Sequence, residues 1–544
     1  MTTTTRQSVS TDLLGLPYRS QRSPVMAVNG VVATSQPLAA QAGLSMLQQG
    51  GSAVDAALAT AIALTVVEPT SNGIGGDVFS LVWDGTTLHG LNGSGRAPAA
   101  TTADAIRAAG HTEMPSKGWW PITVPGAPRA WADLHARFGK LPFEKLFEPA
   151  INYARHGYFV SPIISKLWES AATKGFAGLT APEFKPWFDT YTFDGRAPRA
   201  GERWSSEGHA STLEQIAASK SKTFYEGDIA RQIAAFAAQT GGPMTEADLA
   251  AHKSQWVEPI RTSYRGYEVC EIPPNGQGIA ALMALNITEG FDMAKLSRES
   301  IEAYHLQIEA LKLSLTDAIA YVGDMDHVDV PVKGMLDKEY ASQRGSLIGE
   351  RAIDPTVGKP KAGGTIYLCA ADADGMMVSY IQSNYQGFGS GVVVPNTGIS
   401  LHNRGYGFTL EDGHPNQVAP GRRPFHTIIP GFLLRDGQAV GPFGVMGGFM
   451  QAQGHMQMVM NTVDYGMNPQ ASLDAPRWRW DGGKDVTIEP DADPAIIEGL
   501  RARGHDVTVG TDQAFGRGQI IWKLPGGGYV AGSDKRADGC AAAY

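Results

Sequence analysis

The sequence predicts an α+β fold of stacked sheet and helix layers, and three features of the chain support this. Two alanine-rich stretches near the start have the composition of buried helices. Alternating apolar residues at 78–92 indicate a hairpin, and strand-like stretches return from residue 365, followed by a helical stretch at 451–466. Because a sheet buries one face against another element, blocks of strands and helices in this order predict stacked layers.

The elements follow one another clearly in the first part of the chain. The first helix, at 37–49, ends at a Gly-Gly pair, and the second begins after Ser52, which has the side chain of a helix N-cap. We expect these two helices to pack against each other. The middle of the chain, from about 126 to 350, has a mostly helical pattern and is interpreted as scaffold.

Composition limits the possible partners. The formal net charge is -9, and the charged residues, 18% of the chain, have both signs and no basic stripe, so a nucleic-acid partner is not expected. The longest apolar run, at 56–67, is too short to cross a bilayer, so no membrane partner is expected. The polar start lacks a secretory pattern, so residues 1–25 are predicted to be a flexible tail on a cytoplasmic protein.

Three cysteines, Cys270, Cys369 and Cys540, occur without paired spacing or nearby ligand-like histidines. This argues against a disulfide framework or a structural zinc site. The chain also lacks a dinucleotide fingerprint and a phosphate-binding loop. No metal and no cofactor are therefore expected.

A candidate nucleophile lies where the strand pattern resumes, in "KAGGTIYLC" at 361–369. A threonine hydroxyl is a weak nucleophile inside a chain, but a terminal threonine has its own α-amine as a base, with a pKa near ~8. Glycine before it permits the backbone strain that attack on the preceding carbonyl requires. Gly364–Thr365 is thus a candidate self-cleavage site; the alternative is that the two glycines only form a turn into a strand.

The rest of the chain resembles the γ-glutamyltranspeptidase family of N-terminal-nucleophile hydrolases. The motifs that carry the resemblance are "GGSAVDAA" at 50–57, "GIGGD" at 73–77, "VPGAPRAW" at 124–131, "YRGYEV" at 264–269, "GFGSG" at 387–391, "MGG" at 446–448 and "DAPRW" at 474–478. The resemblance implies a four-layer αββα sandwich, made as one precursor and autoprocessed before a threonine. It implies a large fragment at 26–364 and a small one at 365–544, which stay together as one core, alone or as a dimer of such pairs.

The resemblance assigns catalytic roles to four residues. Thr365 is the nucleophile, and Ser383 matches a hydroxyl residue that assists it; the alternative for Ser383 is plain strand surface. Gly447 and Gly448 match paired glycines whose N–H groups form an oxyanion hole, and they are also typical of a tight turn.

Other positions are candidate substrate contacts. Asn384 and Tyr385 follow Ser383, and Tyr385 stands where the family usually has a substrate-contacting asparagine. The arginine that holds the α-carboxylate in γ-glutamyl enzymes has Ser94 as its counterpart here, with Arg96 two positions later. The carboxylate clamp is therefore absent or displaced.

Two further departures concern the charge of the site. Arg404 and Gly407 replace the residues that receive the α-ammonium, so a cation is expected there, and His426 and Thr427 replace two hydroxyl residues. The alternative role for Arg404 is a structural ion pair. With these residues, the chain resembles the oxamate amidohydrolase and acylase branch of the family more closely than the γ-glutamyl enzymes.

The sequence therefore predicts a threonine amidohydrolase acting on a small carboxylate-bearing amide. A genuine γ-glutamyltransferase or glutathione hydrolase is the second candidate, because the family resemblance covers nearly the whole chain. A catalytically silent scaffold that kept the fold is the third. Repulsion between Arg404 and an α-ammonium is the argument that separates the first candidate from the second.

Overall fold

The computed structural model describes residues 18, 20, 22–355 and 364–544. The predicted tail at 1–25 lies largely outside these residues, except at its end. There Arg22 donates hydrogen bonds to backbone oxygens of Ser533 and Asp534, and Val25 begins the first strand, so the strand starts inside the predicted tail.

The described part of the chain contains nineteen strands: β1 Val25–Ala27, β2 Val31–Thr34, β3 Asp77–Trp83, β4 Leu88–Asn92, β5 Tyr158–Phe159, β6 Arg203–Trp204, β7 Gln255–Val257, β8 Ile260–Tyr264, β9 Tyr267–Glu271, β10 Gly364–Ala371, β11 Met377–Tyr385, β12 Gly431–Arg435, β13 Gln438–Met446, β14 Trp478–Gly482, β15 Asp485–Ile488, β16 Asp506–Val509, β17 Arg517–Lys523, β18 Tyr529–Ser533 and β19 Cys540–Ala543.

The same residues form eighteen α-helices: α1 Pro37–Gln48, α2 Ala53–Val67, α3 Ala103–Ala108, α4 Ala127–Phe138, α5 Glu148–His156, α6 Pro162–Ser170, α7 Lys185–Tyr191, α8 Glu207–Ala218, α9 Lys222–Glu226, α10 Asp228–Thr240, α11 Glu246–Ala250, α12 Gly278–Glu289, α13 Ile301–Tyr321, α14 Val332–Met335, α15 Lys338–Gly345, α16 Met450–Val463, α17 Pro469–Asp474 and α18 Pro494–Ala502. Among the described residues, no helix combines the length and hydrophobicity that crossing a membrane requires.

Two seven-stranded sheets form the centre of the molecule. Their strand orders are β1-β18-β17-β13-β12-β9-β8 and β19-β2-β10-β11-β3-β4-β7. Each order mixes strands from before and after residue 365, so the two predicted fragments build both sheets together. Breaking the chain between them would leave the hydrogen-bonded ladders intact.

The two sheets face each other, as side chains along β10 show. Ile366, Leu368 and Ala370 belong to one apolar cluster with helices α1, α2, α4, α5 and α8, whereas Tyr367 and Cys369 belong to a second cluster with the other sheet and helices α12, α13 and α16. Because successive side chains of a strand point to opposite faces, β10 must lie between a helix layer and the second sheet. The layers are helix, sheet, sheet and helix, which confirms the predicted αββα sandwich.

The early elements agree with the sequence analysis. Ser52 and Asp55 form a capping box at the start of α2, and β3 pairs with β4 in the predicted hairpin. Helices α1 and α2 pack closely, since a Cβ atom added at Gly43 would lie 2.8 Å from the Ala56 carbonyl oxygen.

The prediction of a helical middle at 126–350 was wrong in part, because five strands, β5 to β9, lie there. The most important are β8 and β9, which form an edge hairpin of a central sheet. As the edge strand, β8 exposes Arg261 and Ser263, so its sequence is too polar for the apolar alternation that identified the other strands.

Candidate active site

Three adjacent strands bring the predicted nucleophile together with two polar residues. In β10 and β11 the odd-numbered residues face the second sheet, and this set includes Thr365 and Ser383; in β3, Asp77 lies directly opposite Ser383 in the ladder. All three side chains are fully buried. The alternation of each strand therefore directs a hydroxyl, a hydroxyl and a carboxylate to one end of the space between the sheets.

Thr365 lies at an irregular point of its strand. The ladder between β10 and β11 shifts register between Gly364 and Ile366, because Ser383 and Asn384 of β11 together oppose Thr365, which therefore lies opposite a bulge in β11. Its Oγ1 is 3.1 Å from the Oγ of Ser383, and Ser383 Oγ also accepts a hydrogen bond of 2.7 Å from the backbone N–H of Tyr385. The two hydroxyls are within proton-transfer distance.

Gln451 is a site residue that the sequence analysis missed. Its Nε2 donates to Thr365 Oγ1 at 3.4 Å, and its Oε1 accepts from the Ile429 N–H at 3.0 Å. It lies in the first turn of α16, three residues after the glycine pair. The sequence signal was its position in "MGGFMQAQGH", but a glutamine in a helical pattern does not by itself indicate a contact with a residue 86 positions away.

The glycine pair forms the turn between β13 and α16. Gly447 has φ +127° and Gly448 has φ +63°, a region that favours glycine. Their carbonyl oxygens accept from the first helical N–H groups, of Met450 and Gln451, and among the described residues neither glycine N–H donates to the backbone. Helix α16, which holds Gln451 against Thr365, thus begins next to two N–H groups that are available as donors. The role of the Gly447 and Gly448 N–H groups as an oxyanion hole stays a prediction.

Arg404 has a different environment from the one expected. It is fully buried, its Nε lies 3.1 Å from Asp77 Oδ2, and its Nη1 donates to Thr427 Oγ1 at 2.9 Å. The guanidinium also lies 4.2 Å over the ring of Tyr385. The ion pair with Asp77 neutralises the charge, so repulsion of an α-ammonium is weaker than the sequence analysis assumed. The structural ion pair, named there as the alternative, is present.

His426 completes the group around Asp77. Its Nε2–H donates to Asp77 Oδ2 at 2.6 Å, and its Nδ1 accepts from the Ile428 N–H, which together define the neutral tautomer. Burial and the nearby Arg404 lower the pKa of His426 to about 4. Burial alone would raise the pKa of Asp77, but Arg404, His426 and His402 hold it well below its usual range. Asp77 is therefore ionised and His426 neutral near pH 7.

Several buried polar atoms beside Thr365 have no hydrogen-bond partner among the described residues. They are Asp77 Oδ1, Arg404 Nη2 and both amide atoms of Asn384. Buried polar groups are nearly always paired in folded proteins, so unpaired donors and acceptors in one place indicate a ligand-binding site. Asn384 and Arg404 are two of the predicted substrate contacts, and their contact with a substrate stays a prediction.

The two remaining predicted contacts are in different surroundings. Tyr385 is buried, which raises the pKa of its hydroxyl to about 12, and its ring faces a cavity. Arg96 lies in a cluster with Asp324 and Asp326, donating also to the Gly421 carbonyl oxygen. The structure does not bring Arg96 into contact with Thr365 or Arg404, and its substrate contact stays a prediction.

Comparison with known proteins agrees with this geometry. The family model described as gamma-glutamyltranspeptidase matches residues 39–544. The glutathione hydrolase-like YwrD proenzyme of Bacillus subtilis is 36% identical over 95% of this chain and 99% of its own length. The oxamate amidohydrolase proenzyme of Klebsiella pneumoniae is 33% identical over 95% of this chain and 99% of its own length.

A solved structure is more similar still. The crystal structure of a cephalosporin acylase from Bacillus halodurans is 53% identical to this chain, with a TM-score of 0.94, covering 98% of this chain and 99% of that one. The αββα sandwich, the position of Thr365 beside Ser383 and a family match that covers residues 39–544 all agree. The chain is an enzyme and belongs to the gamma-glutamyltranspeptidase family.

Proposed function

We propose that the chain cleaves its own Gly364–Thr365 bond and then hydrolyses a carboxylate-bearing amide through an acyl-enzyme on Thr365. The observation that carries this proposal is the buried pair of hydroxyls, with Thr365 Oγ1 at 3.1 Å from Ser383 Oγ at the start of β10. The proenzyme names of two relatives support processing, because each is made as a precursor.

Self-cleavage needs only this pair and water. Thr365 Oγ attacks the carbonyl carbon of Gly364, and its proton passes by way of Ser383 Oγ to the Thr365 nitrogen as the C–N bond breaks, which leaves an ester and a free α-amine. Water then hydrolyses the ester, which releases the Gly364 carboxylate and restores the Thr365 hydroxyl. The new α-amine, with a pKa near ~8, is partly neutral at physiological pH and acts as the base in later turnovers.

Amide hydrolysis repeats the same chemistry on a substrate. The α-amine takes the Oγ proton, Oγ attacks the substrate carbonyl, and the N–H groups of Gly447 and Gly448 stabilise the oxyanion. The amine leaves with a proton, and water hydrolyses the acyl-enzyme. Arg404 Nη2 and Asn384 Nδ2 are buried donors without a partner among the described residues, and both suit a carboxylate on the acyl half.

One observation favours a second function, γ-glutamyl hydrolysis or transfer. Asp77 Oδ1 is a buried carboxylate oxygen without a partner among the described residues, and an α-ammonium would satisfy it. Because Asp77 also neutralises Arg404, the site offers both an acceptor and a donor for an amino acid. The glutathione hydrolase-like relative in Bacillus subtilis fits this alternative.

The test begins with the intact mass of purified protein, which should show two fragments with Thr365 as a new N-terminus. Release of ammonia is then measured over small amides, including oxamate and glutamine, with Thr365→Ala as the matched control that stays uncut and inactive. A single full-length species with no turnover, or an active Thr365→Ala protein, would overturn the proposal. Preference for glutamine over oxamate would favour the second function.

A further inference from the structure

Gln277 is a fully buried residue that links two segments of the predicted site, and the mechanism above gives it no role. Its Nε2 donates to the Thr427 carbonyl oxygen at 2.6 Å and to the Gly448 carbonyl oxygen at 2.9 Å. A side-chain amide has two N–H donors, so these two bonds use both. One side chain thus joins the turn that carries the predicted oxyanion donors to the segment that contacts Arg404.

The backbone around Gln277 is fixed against the same segment. The Gln277 N–H donates to the His426 carbonyl oxygen at 2.9 Å, and the His426 N–H donates to the Asn275 carbonyl oxygen at 2.8 Å. These bonds form a parallel bridge between Gly276 and His426. The Gln277 side chain therefore starts from a fixed position, and its bond to Gly448 transmits that position to the glycine turn.

Gln277 is the N-cap residue of α12, but its side chain does not cap the helix. Gln36, the N-cap of α1, differs, because its amide oxygen accepts from the N–H groups of Leu38 and Ala39. Capping of this kind stabilises a helix by satisfying its first N–H groups. The amide oxygen of Gln277 is buried without a partner among the described residues. Its side chain thus gives up helix capping for two bonds to carbonyl oxygens of the site.

The glycine turn needs a restraint from outside its own helix. Glycine adopts positive and negative φ about equally readily, so the backbone at Gly447 and Gly448 is easily rotated. Their carbonyl oxygens accept from the N–H groups of Met450 and Gln451, which belong to the first turn of α16 and move with it. Gln277 reaches Gly448 from a different element. A fixed Gly448 carbonyl limits the directions in which the neighbouring N–H groups point.

We infer that Gln277 is a positioning residue, which holds the glycine turn so that the N–H groups of Gly447 and Gly448 point at the oxyanion. It acts through Gly448, and it fixes the distance of the turn from Thr427, whose Oγ1 accepts from Arg404 Nη1 at 2.9 Å. The inference rests on the proposed amide hydrolysis and names a residue on which the rate of that reaction depends.

The first test is Gln277→Met, which keeps the length of the side chain and removes both donors. The substrate is oxamate or glutamine, whichever the wild type hydrolyses, and the protein is cleaved before the assay. We expect kcat to fall about 10- to 100-fold, less than the roughly 10²- to 10³-fold that outright loss of an oxyanion donor causes. KM should change by less than about 3-fold, because these donors act on charge that develops in the transition state.

Gln457→Met is the matched control. Gln457 is also buried, and its Nε2 also donates to two backbone carbonyl oxygens, those of Gln453 and Trp478. Loss of these bonds should lower the free energy of unfolding in urea and leave kcat per folded molecule unchanged. The control separates a positioning role from the general cost of removing a buried amide.

Gln277→Glu is a second variant, with nearly the wild-type shape. A carboxyl group donates to a carbonyl oxygen only when it is protonated, and burial beside two carbonyl oxygens raises its pKa. The protonated form restores one of the two bonds, and ionisation removes it. The ratio of kcat in this variant to wild-type kcat should therefore fall as the pH rises.

The outcomes separate this inference from the proposed function. Equal effects of Gln277→Met and Gln457→Met on kcat, with a pH-independent ratio for Gln277→Glu, would overturn the positioning role and leave amide hydrolysis standing. A cleaved wild-type protein that hydrolyses none of the small amides would overturn amide hydrolysis, and the positioning role with it.

Discussion

Two buried clusters in this enzyme have nearly the same composition and very different surroundings. Each contains one carboxylate, one cation and two histidines, all buried. The Asp77 cluster lies beside Thr365, and the Glu309 cluster lies between α13, the segment at 349–353 and the turn before β16. Their members are Asp77, Arg404, His402 and His426 in the first, and Glu309, Lys312, His305 and His505 in the second.

Every polar atom of the Glu309 cluster has a partner. Lys312 Nζ donates to Glu309 Oε1 at 2.7 Å, to the Ile353 carbonyl oxygen at 3.2 Å and to His505 Nδ1 at 3.4 Å, which uses its three protons. His505 Nε2 lies 2.9 Å from His305 Nδ1, and His305 Nε2 lies 2.8 Å from the Gly349 carbonyl oxygen. Although three of these side chains are close enough together to hold a metal ion, the ammonium already balances the carboxylate.

The Asp77 cluster is incomplete. Asp77 Oδ1 and Arg404 Nη2 have no partner among the described residues, and neither has the amide of the adjacent Asn384. An unpartnered buried polar atom costs about 1–3 kcal/mol, and more if it is charged, unless a ligand pairs with it. The comparison teaches that buried charge does not by itself identify a site. What separates the Asp77 cluster from the Glu309 cluster is that several unpaired atoms, donors and acceptors together, lie close to a predicted nucleophile.

The largest effect is expected where the satisfied cluster is broken. Lys312→Met leaves the Glu309 carboxylate buried without its cation, which should lower the free energy of unfolding by about 3–5 kcal/mol, measured by urea denaturation. The turnover of each folded molecule should not change. Glu309→Gln combined with Lys312→Met is the matched control and should recover most of the stability. A loss of turnover at unchanged stability, or a metal ion that co-purifies with the protein, would contradict a purely structural role.

The next largest effect is expected from a substitution in the turn formed by Gly447 and Gly448. Gly447→Val places a side chain where φ is +127° and where a Cβ atom would lie 3.1 Å from Gly516 Cα, so the N–H groups should turn away from the oxyanion. Loss of one such donor reduces kcat by about 10²- to 10³-fold. Single-turnover kinetics on cleaved protein would measure this step, and unchanged turnover would show that the glycines form only a turn.

A smaller effect is expected at Arg404, as a change in selectivity. Arg404→Gln removes the unpartnered Nη2, and a hydrogen bond to a charged group contributes about 1.5–3 kcal/mol, so preference for a carboxylate-bearing amide over a neutral one should fall about 10- to 100-fold. The ratio of kcat/KM for the two amides measures this. An unchanged ratio would assign Arg404 to the ion pair alone.

Arg404→Gln should also change how the stability of the protein depends on pH. Burial and, after it, Arg404 hold the pKa of His426 near 4, so Arg404→Gln should raise that pKa while burial still lowers it, and His426 should be protonated beside Asp77 at a higher pH than in the wild type. In the wild type, the neutral His426 makes stability fall as the pH drops from about 6.5 towards 4. In the variant this loss should shrink, and titration of the His426 ring by NMR would detect the shift.

The smallest effect is expected at Gln451. Its hydrogen bond to Thr365 Oγ1 is long, at 3.4 Å, so Gln451→Met should reduce kcat only about 2- to 10-fold. Gln457 lies on the same helix and donates to backbone oxygens of Gln453 and Trp478, so Gln457→Met should lower stability and leave kcat unchanged. Equal effects of the two variants on kcat would remove Gln451 from the site.

Much of the fold could be predicted from local patterns. The capping box at Ser52, the hairpin of β3 and β4 and the strands after Thr365 are encoded in short stretches, because caps, turns and alternation depend on neighbouring residues. The edge hairpin of β8 and β9 escaped prediction because its solvent-facing residues are polar and its pairing with β12 joins positions more than 160 residues apart.

The sequence by itself identified the candidate nucleophile Thr365 and the candidate turn at Gly447 and Gly448, through the chemistry of a threonine after glycine together with the family motifs around it. Only the tertiary structure decided what surrounds them. The ion pair of Arg404 with Asp77 joins residues 327 positions apart, and the contact of Gln451 with Thr365 joins two separate elements. Whether a buried atom is paired or unpaired depends on every neighbour that the fold brings to it, and no local pattern contains that information.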